Sequence, residues 1–253
     1  MPGWKTEYKQ HRKALYRRLS GVAKSTVLYG PFKGMKLPGR TSWGGGSIGP
    51  KILGTYESEL HGAIDRTLAD QPDVIIDVGC AEGYYAVGLA RYGRTIPVIA
   101  YDINPNARAV CAEMAAVNGV QAVVDVRGEC DHAALQQALE GKRGFVLCDC
   151  EGYERILLDI ERVPALADAI LLVELHDWLT DTPDLPAHYR NMLGATHEVE
   201  IIPQQGRNPH AIPELAPLSE LDRYMLVSEF RGRAMRWMFA TPRRAAAAAK
   251  GLQ

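Results

Sequence analysis

No apolar run in the 253-residue sequence approaches roughly 18 residues, so no transmembrane helix is expected. The first residues, MPGWKTEYKQHRKALYRR, lack the apolar core of a secretory signal, which points to a cytoplasmic protein. Aromatic residues are scarce, at 8%, and no platform for stacking bases is evident. The five cysteines are odd in number and several sit in apolar runs, so free thiols in a reducing compartment are expected. Cys148 and Cys150 lack a second Cys pair or a His pair at zinc spacing, and no structural zinc site is expected. No repeat of about 20–50 residues is visible. What is present is ordinary for a globular chain: 47% hydrophobic and 23% charged residues exclude extensive disorder. The length suits one sizeable α/β domain rather than two.

The formal net charge of −1 conceals an uneven distribution. Residues 1–40 hold ten Lys/Arg against Glu7 alone, a net of +9. Residues 41–230 carry a net of −16, and residues 231–253 a net of +6. An acidic body with two basic ends implies either an acidic partner or ends that pack on the body's own acids.

The periodicity divides the chain into an N-terminal extension (1–50), a main domain (51–241) and a tail (242–253) too poor in apolar residues to be ordered. Residues 5–19 read as a short helix, 25–38 as a small hairpin, and 43–47 as a flexible loop. Leu60, Ile64 and Leu68 are four apart, predicting a helix over 55–68 with Thr55 as its cap. From Asp73 strands and helices alternate: strands at 74–78, 97–101, 121–126, 144–148 and 169–175, with helices at 83–92, 105–117, 131–139 and 153–160 between them. Such alternation means a parallel sheet with crossover helices. Beyond it, helices at 185–193 and 219–230 and strands at 195–202 and 235–240 are expected, with a proline-rich loop over 203–217.

The strongest signal is the strand Ile75-Ile76-Asp77-Val78 running into Gly79-Cys80-Ala81-Glu82-Gly83 and then a helix. Glycines at that turn let the backbone approach a ligand closely. The spacing differs from G-x-G-x-x-G, so a pyrophosphate cradle is not favoured. The next strand ends in Tyr101-Asp102, where an acid can accept both hydroxyls of an adenosine ribose. These residues resemble the class I S-adenosylmethionine-dependent methyltransferases. Gly54-Thr55-Tyr56-Glu57, Asp149-Cys150-Glu151-Gly152-Tyr153-Glu154 and Glu174-Leu175-His176 narrow the resemblance to the FkbM-like branch, over about residues 50–180. Cys150 departs from the Val or Ile usual at its place, which leaves fine substrate placement open.

The resemblance implies a Rossmann-like, doubly wound, mostly parallel seven-stranded sheet with its last strand antiparallel. It implies S-adenosylmethionine as cofactor and methylation of a hydroxyl on a sugar or other natural product. By position, Asp77, Gly79, Cys80, Ala81, Gly83 and Tyr84 would line the methionine half of the cofactor. Asp102 would hold the ribose, Ile103 would pack beside the adenine, and Gly128 and Glu129 would lie at the adenine edge. Asp149 would join cofactor and acceptor.

His176 is the natural proton acceptor at a strand end, with Asp149 and Glu151 beside it. Trp43, Tyr56, Glu57, Asn208 and His210, in variable stretches, are the candidate substrate residues. No metal is expected as a requirement, although Asp149, Glu174 and His176 are of types that could hold Mg²⁺. The basic arm admits an RNA methyltransferase, but Asp149-Cys150-Glu151-Gly152 stands where amino-methylating base modifiers carry D/N-P-P-Y/F, so a nucleic-acid partner is not favoured. A cofactor-binding partner protein without catalysis is the remaining alternative. A homo-oligomer is compatible with the N-terminal arm, which is suited to a lid or a dimer contact.

Overall fold

The computed structural model describes residues 4–38, 47–179 and 184–243. Seven strands form one sheet: β1 (Val74–Val78), β2 (Val98–Tyr101), β3 (Val124–Arg127), β4 (Gly144–Cys148), β5 (Ile170–Glu174), β6 (His197–Pro203) and β7 (Arg236–Pro242). Their order is β3-β2-β1-β4-β5-β7-β6. Neighbours from β3 to β5 pair in parallel, and β7 runs antiparallel to both β5 and β6. This is a Rossmann-like, doubly wound, mostly parallel sheet, and its last strand is antiparallel as expected. The order reverses between β1 and β4, and their carboxyl ends open a crevice there.

Every residue of β1, β4 and β5 is buried, as strands covered on both faces require. One face packs Ile75, Phe145, Leu147 and Leu172 against the helices that flank β1 and β2. The other packs Ile76, Val78, Val146 and Val173 against Leu135, Leu139, Tyr189 and Leu193. The helices are α1 (Trp4–Ala23), α2 (Ile48–Leu53), α3 (His61–Ala69), α4 (Tyr84–Gly93), α5 (Pro105–Val117), α6 (His132–Leu139), α7 (Glu154–Leu157), α8 (Leu185–Leu193) and α9 (Glu220–Val227). Caps fix several starts. Asn104 accepts from the Asn106 amide ahead of Pro105, Asp131 from Ala134, and Ser219 from Asp222.

Several local expectations are corrected. The 25–38 hairpin is a loop with one antiparallel bridge, Thr26 to Lys36. The Asn118 side chain accepts from the Lys36 amide and donates to its carbonyl, taking up groups a strand partner would use. The 55–68 helix starts only at His61. The Thr55 and Tyr56 amides turn back to the Pro50 carbonyl, and Glu57 adopts a left-handed conformation. Helix α2 was not foreseen. Strand β3 starts three residues late, after a turn in which the Val123 amide donates to the Val120 carbonyl. The 153–160 helix is one turn, and the 219–230 helix stops at Val227 because Ser228 is extended. Residues 43–46 and 244–253, most of the expected loop and tail, lie outside the described residues, and Pro242, expected in the tail, ends β7.

Helix α1 is not a free arm. Leu15, Tyr16, Leu19 and Ala23 are buried in a third cluster with Ile52 and Leu53 of α2 and Met225, Leu226 and Val227 of α9. Leu19 is 5% exposed. Its replacement by alanine is expected to cost about 2–5 kcal/mol in urea unfolding. A loss below about 0.5 kcal/mol, the surface-substitution range, would show that α1 is only loosely attached.

Candidate active site

The β1–α4 turn builds the centre of the crevice. The amides of Gly79 and Cys80 donate to the Tyr101 carbonyl at 2.9 and 3.0 Å, tying the turn to β2. Gly79 has φ +83°, and a Cβ there would stand 1.7 Å from the Asp149 carbonyl oxygen. Only glycine lets the ends of β1 and β4 approach this closely. Asp102, at the end of β2, accepts from the Ala81 amide at 2.9 Å and the Asn104 amide at 2.7 Å. Both of its oxygens therefore hold the crevice rim in shape.

Asp77 plays a different part. It is buried in β1 and accepts from the Ala86 amide in the first turn of α4, where Gly83 offers no side-chain cap. Burial raises its carboxyl to about 8; the amide bond opposes this, and Asp149 and Asp102 add to it.

A cavity of about 1000 Å³ runs along the strand ends. Gly79, Ala81, Asp102, Ile103, Gly128, Glu129, Asp149, Glu151, Glu174 and Tyr56 line it. The other expected residues do not. Asp77, Cys80 and Gly83 support the turn from behind; Cys80 is buried in the core, and a Cβ on Gly83 would meet Cys111. Tyr84 lines a smaller neighbouring cavity. Asn208 caps a short turn by accepting from the His210 amide, and His210 packs edge-on to Tyr224, so both sit away from the cavity. Trp43 lies outside the described residues.

Glu57 is 1% exposed and is held by Arg231 and the Tyr85 hydroxyl. Burial raises its carboxyl to about 7 against the pull of Arg231. Arg231 also donates to Glu174 and Glu229, and Arg207 pairs with Glu229 and Glu59. The two arginines thus tie the segment before β7 to the wall of the site. Arg231 was not foreseen; Arg207 belongs to the 204–210 loop expected to meet substrate, and it pairs with buried acids instead. Lys51 was missed with α2. It lines the cavity, pairs with Glu82 at 2.6 Å and lies 4.8 Å from the centre of the Tyr56 ring. Arg12 of α1 also reaches the cavity, over the Phe230 ring at 4.6 Å.

His176 follows β5 and is 2% exposed, behind the cavity wall. Its Nδ1 stands 2.8 Å from Glu154 Oε1, and Glu154 also accepts from the Cys150 amide at 2.9 Å. Its Nε2 faces Asp149, Glu151 and Glu174. Burial pulls the imidazole pKa down, but Glu154, Asp149 and Glu151 outweigh it and the net shift is upward. Burial raises Glu174 well above the carboxylate range, and Asp149 and Glu57 push the same way. Glu174 is therefore protonated at neutral pH and shares a hydrogen bond with Asp149.

No family model matches the chain, and no curated protein matches its sequence. Solved structures share its layout. The O-methyltransferase TomG from Streptomyces achromogenes, involved in tomaymycin synthesis and crystallised with S-adenosylmethionine, is 14% identical. That match covers 74% of this chain and 80% of TomG, with a TM-score of 0.49. An O-methyltransferase from Bacillus cereus with S-adenosylhomocysteine is 12% identical over 90% of this chain and 91% of its own, TM-score 0.48. An rRNA methylase from Streptococcus thermophilus is 13% identical over 72% and 96%, TM-score 0.48. These resemblances concern the fold.

The Asp77 arrangement sets a pH dependence. The folded chain keeps a proton on Asp77 up to about pH 8, whereas an ordinary aspartate releases it near 3.8. Between these values the folded state binds the extra proton, so this group's contribution to stability falls as pH rises. Asp77→Asn keeps an acceptor for the Ala86 amide and removes the titration. Its denaturation midpoint, relative to the parent's, is expected to improve between pH 5 and pH 8. A difference that stays constant would show that Asp77 does not titrate in this range.

Proposed function

We propose that the chain is an S-adenosylmethionine-dependent O-methyltransferase that methylates a hydroxyl of a sugar or other small hydroxylated acceptor. The observation that carries this reading is one continuous cavity joining Asp102, Ile103 and Glu129 at one end to Asp149, Glu151 and Glu174 at the other, across the bare backbone of Gly79. The residues suit the cofactor. Ile103 is 80% exposed at the rim, an apolar surface that a flat base would cover. Each Asp102 oxygen takes one amide and keeps lone pairs for ribose hydroxyls. Glu129 offers an acceptor beside the base.

S-adenosylmethionine supplies a methyl group already activated on a sulfonium. The chain has to align the acceptor, exclude water and take a proton. Asp149 lines the cavity at the switch point, and burial raises its carboxyl toward the working range of a base. His176 lies behind Asp149 and is biased toward its charged form, so its role is to position Asp149 rather than to meet the acceptor. Glu154 fixes the His176 ring. Glu151, which lines the cavity at the same end, offers a second acceptor for acceptor hydroxyls.

An RNA acceptor is the second reading. Lys9, Lys13 and Arg17 are exposed on α1, and Arg12 reaches the cavity. Against it, Asp149 and Glu151 line the acceptor end, where a phosphodiester would meet like charge.

Labelled donor should be offered with a panel of hydroxylated small molecules and with tRNA and rRNA. Transfer to the small molecules is expected. Asp149→Asn should lower that turnover by about a hundredfold or more while S-adenosylhomocysteine affinity, read by calorimetry, stays within about threefold. Transfer to RNA alone, weakening steeply with salt, would replace the small-molecule reading.

A further inference from the structure

We propose that the acceptor is a small hydroxylated anion, carrying a carboxylate or a phosphate, and that Arg12 of α1 binds its anionic group. The substrate class rests on the methyltransferase reading; the anion site at Arg12 does not.

The cations of the cavity are the first argument. Three basic side chains line it: Arg12, Lys51 and Arg231. Lys51 is paired with Glu82 at 2.6 Å, and Arg231 is engaged with Glu57, Glu174 and Glu229. Arg12 is half-buried, and its contacts among the described residues are with aromatic rings rather than carboxylates. A guanidinium that faces a cavity without a counter-ion favours an anion there.

The placement of Arg12 is the second. Tyr8, Tyr16 and Phe230 surround its guanidinium carbon at 5.9, 6.0 and 4.6 Å. Rings hold the flat face of a guanidinium and leave its N–H edge for a carboxylate or a phosphate. Phe230 reaches this position from a left-handed conformation, φ +54°, that a large side chain rarely adopts. Its amide donates to the Ser228 hydroxyl at 3.1 Å, which supports that turn. On α1, His11 pairs with Asp222 of α9 at 2.6 Å, and Leu15 and Tyr16 are buried. Both flanks of Arg12 are therefore anchored.

The division of charge is the third. Phe230 is followed by Arg231, which reaches Glu174, and Glu174 shares a hydrogen bond with Asp149. The acids that receive a hydroxyl are thus distinct from the cation that receives an anion, and Arg231 holds the acids in check. An uncharged acceptor that covered Arg12 would strip its water and return no partner. A cavity of about 1000 Å³ has room for an anionic acceptor beside the cofactor. In the charge profile, Arg12 answers to the acidic partner and Arg231 to the body's own acids.

The test titrates the full chain with inorganic phosphate at constant ionic strength, with and without S-adenosylhomocysteine. Binding is followed by line broadening in phosphorus magnetic resonance. Saturation with a Kd of about 1–10 mM is expected, weakened about fivefold or more in Arg12→Gln. Arg233→Gln, at an exposed arginine stacked on Trp178 at 4.4 Å, should leave it unchanged. Displacement of phosphate by glucuronate marks a carboxylate acceptor and displacement by glucose phosphate a phosphorylated one; equal displacement by glucose would overturn the site. In the labelled-donor panel, anionic acceptors should exceed their neutral counterparts about tenfold in kcat/KM, and Arg12→Gln should remove that preference through KM. No saturation below about 50 mM phosphate, or equal binding by wild type and Arg12→Gln, would overturn the site. Loss of S-adenosylhomocysteine affinity in Arg12→Gln with phosphate binding unchanged would assign Arg12 to the cofactor instead. Arg12-dependent transfer to tRNA with none to small anions would overturn the substrate class. Phosphate binding through Arg12 without any S-adenosylhomocysteine binding would sink the methyltransferase reading alone. Methylation of a neutral acceptor without Arg12-dependent phosphate binding would sink the anion site alone.

Discussion

The contact on which the rest depends is the approach of β1 to β4 at Gly79 and Asp149. The Asp149 amide donates to the Val78 carbonyl, and the Asp149 carbonyl occupies the space where a side chain on Gly79 would be. This places the turn that carries Ala81 and Asp102's amide partner directly against the strand end that carries the acids. The two ends of the cavity are therefore not independent. A backbone shift of even half an ångström at Gly79 would move both the rim set by Asp102 and the Asp149 carboxyl.

The acids at the strand ends create a second constraint. Buried carboxylates of like sign repel and lose hydration, so each must be paired, protonated or metal-bound. The chain uses distant cations for the first. Arg231 and Arg207 come from either side of α9 and close on Glu57, Glu59, Glu174 and Glu229. Glu174 shows the second solution, a retained proton. The basic C-terminal stretch in the charge profile has a structural use in part: Arg231 neutralises acids of the body. Lys9, Lys13 and Arg17 remain exposed while the apolar side of α1 does the packing.

The sheet was legible in the sequence because its strands are short, apolar and regularly separated by helices. The β1 turn and Asp102 were legible because glycine spacing and a strand-end acid are local patterns. Helix α2 was hidden by Pro50 and its shortness, and Lys51 with it. The 55–68 helix was overread because a four-residue spacing of Leu60, Ile64 and Leu68 carries no sign of the left-handed turn at Glu57. Arg207 and Arg231 reach their partners over 148 to 174 positions of sequence in the case of Glu59 and Glu57, and no local pattern announces such pairs. Asn208 and His210 were placed at the site because a long loop suggested a lid. That loop packs on α9 instead, through Arg223 donating to the Leu218 and Ala216 carbonyls.

The position of β7 in the sheet also bears on the order in which the molecule is completed during synthesis. Strands β1 to β5 can pair as they emerge, but β6 has no neighbour until β7 is inserted between it and β5. Arg231 lies just ahead of β7. A nascent chain that has folded its first five strands thus holds Glu57 and Glu174 near one another without the guanidinium that pairs with both. That partner is translated only after β1 to β6, so the cofactor half of the crevice can take shape before the acceptor half is electrically balanced.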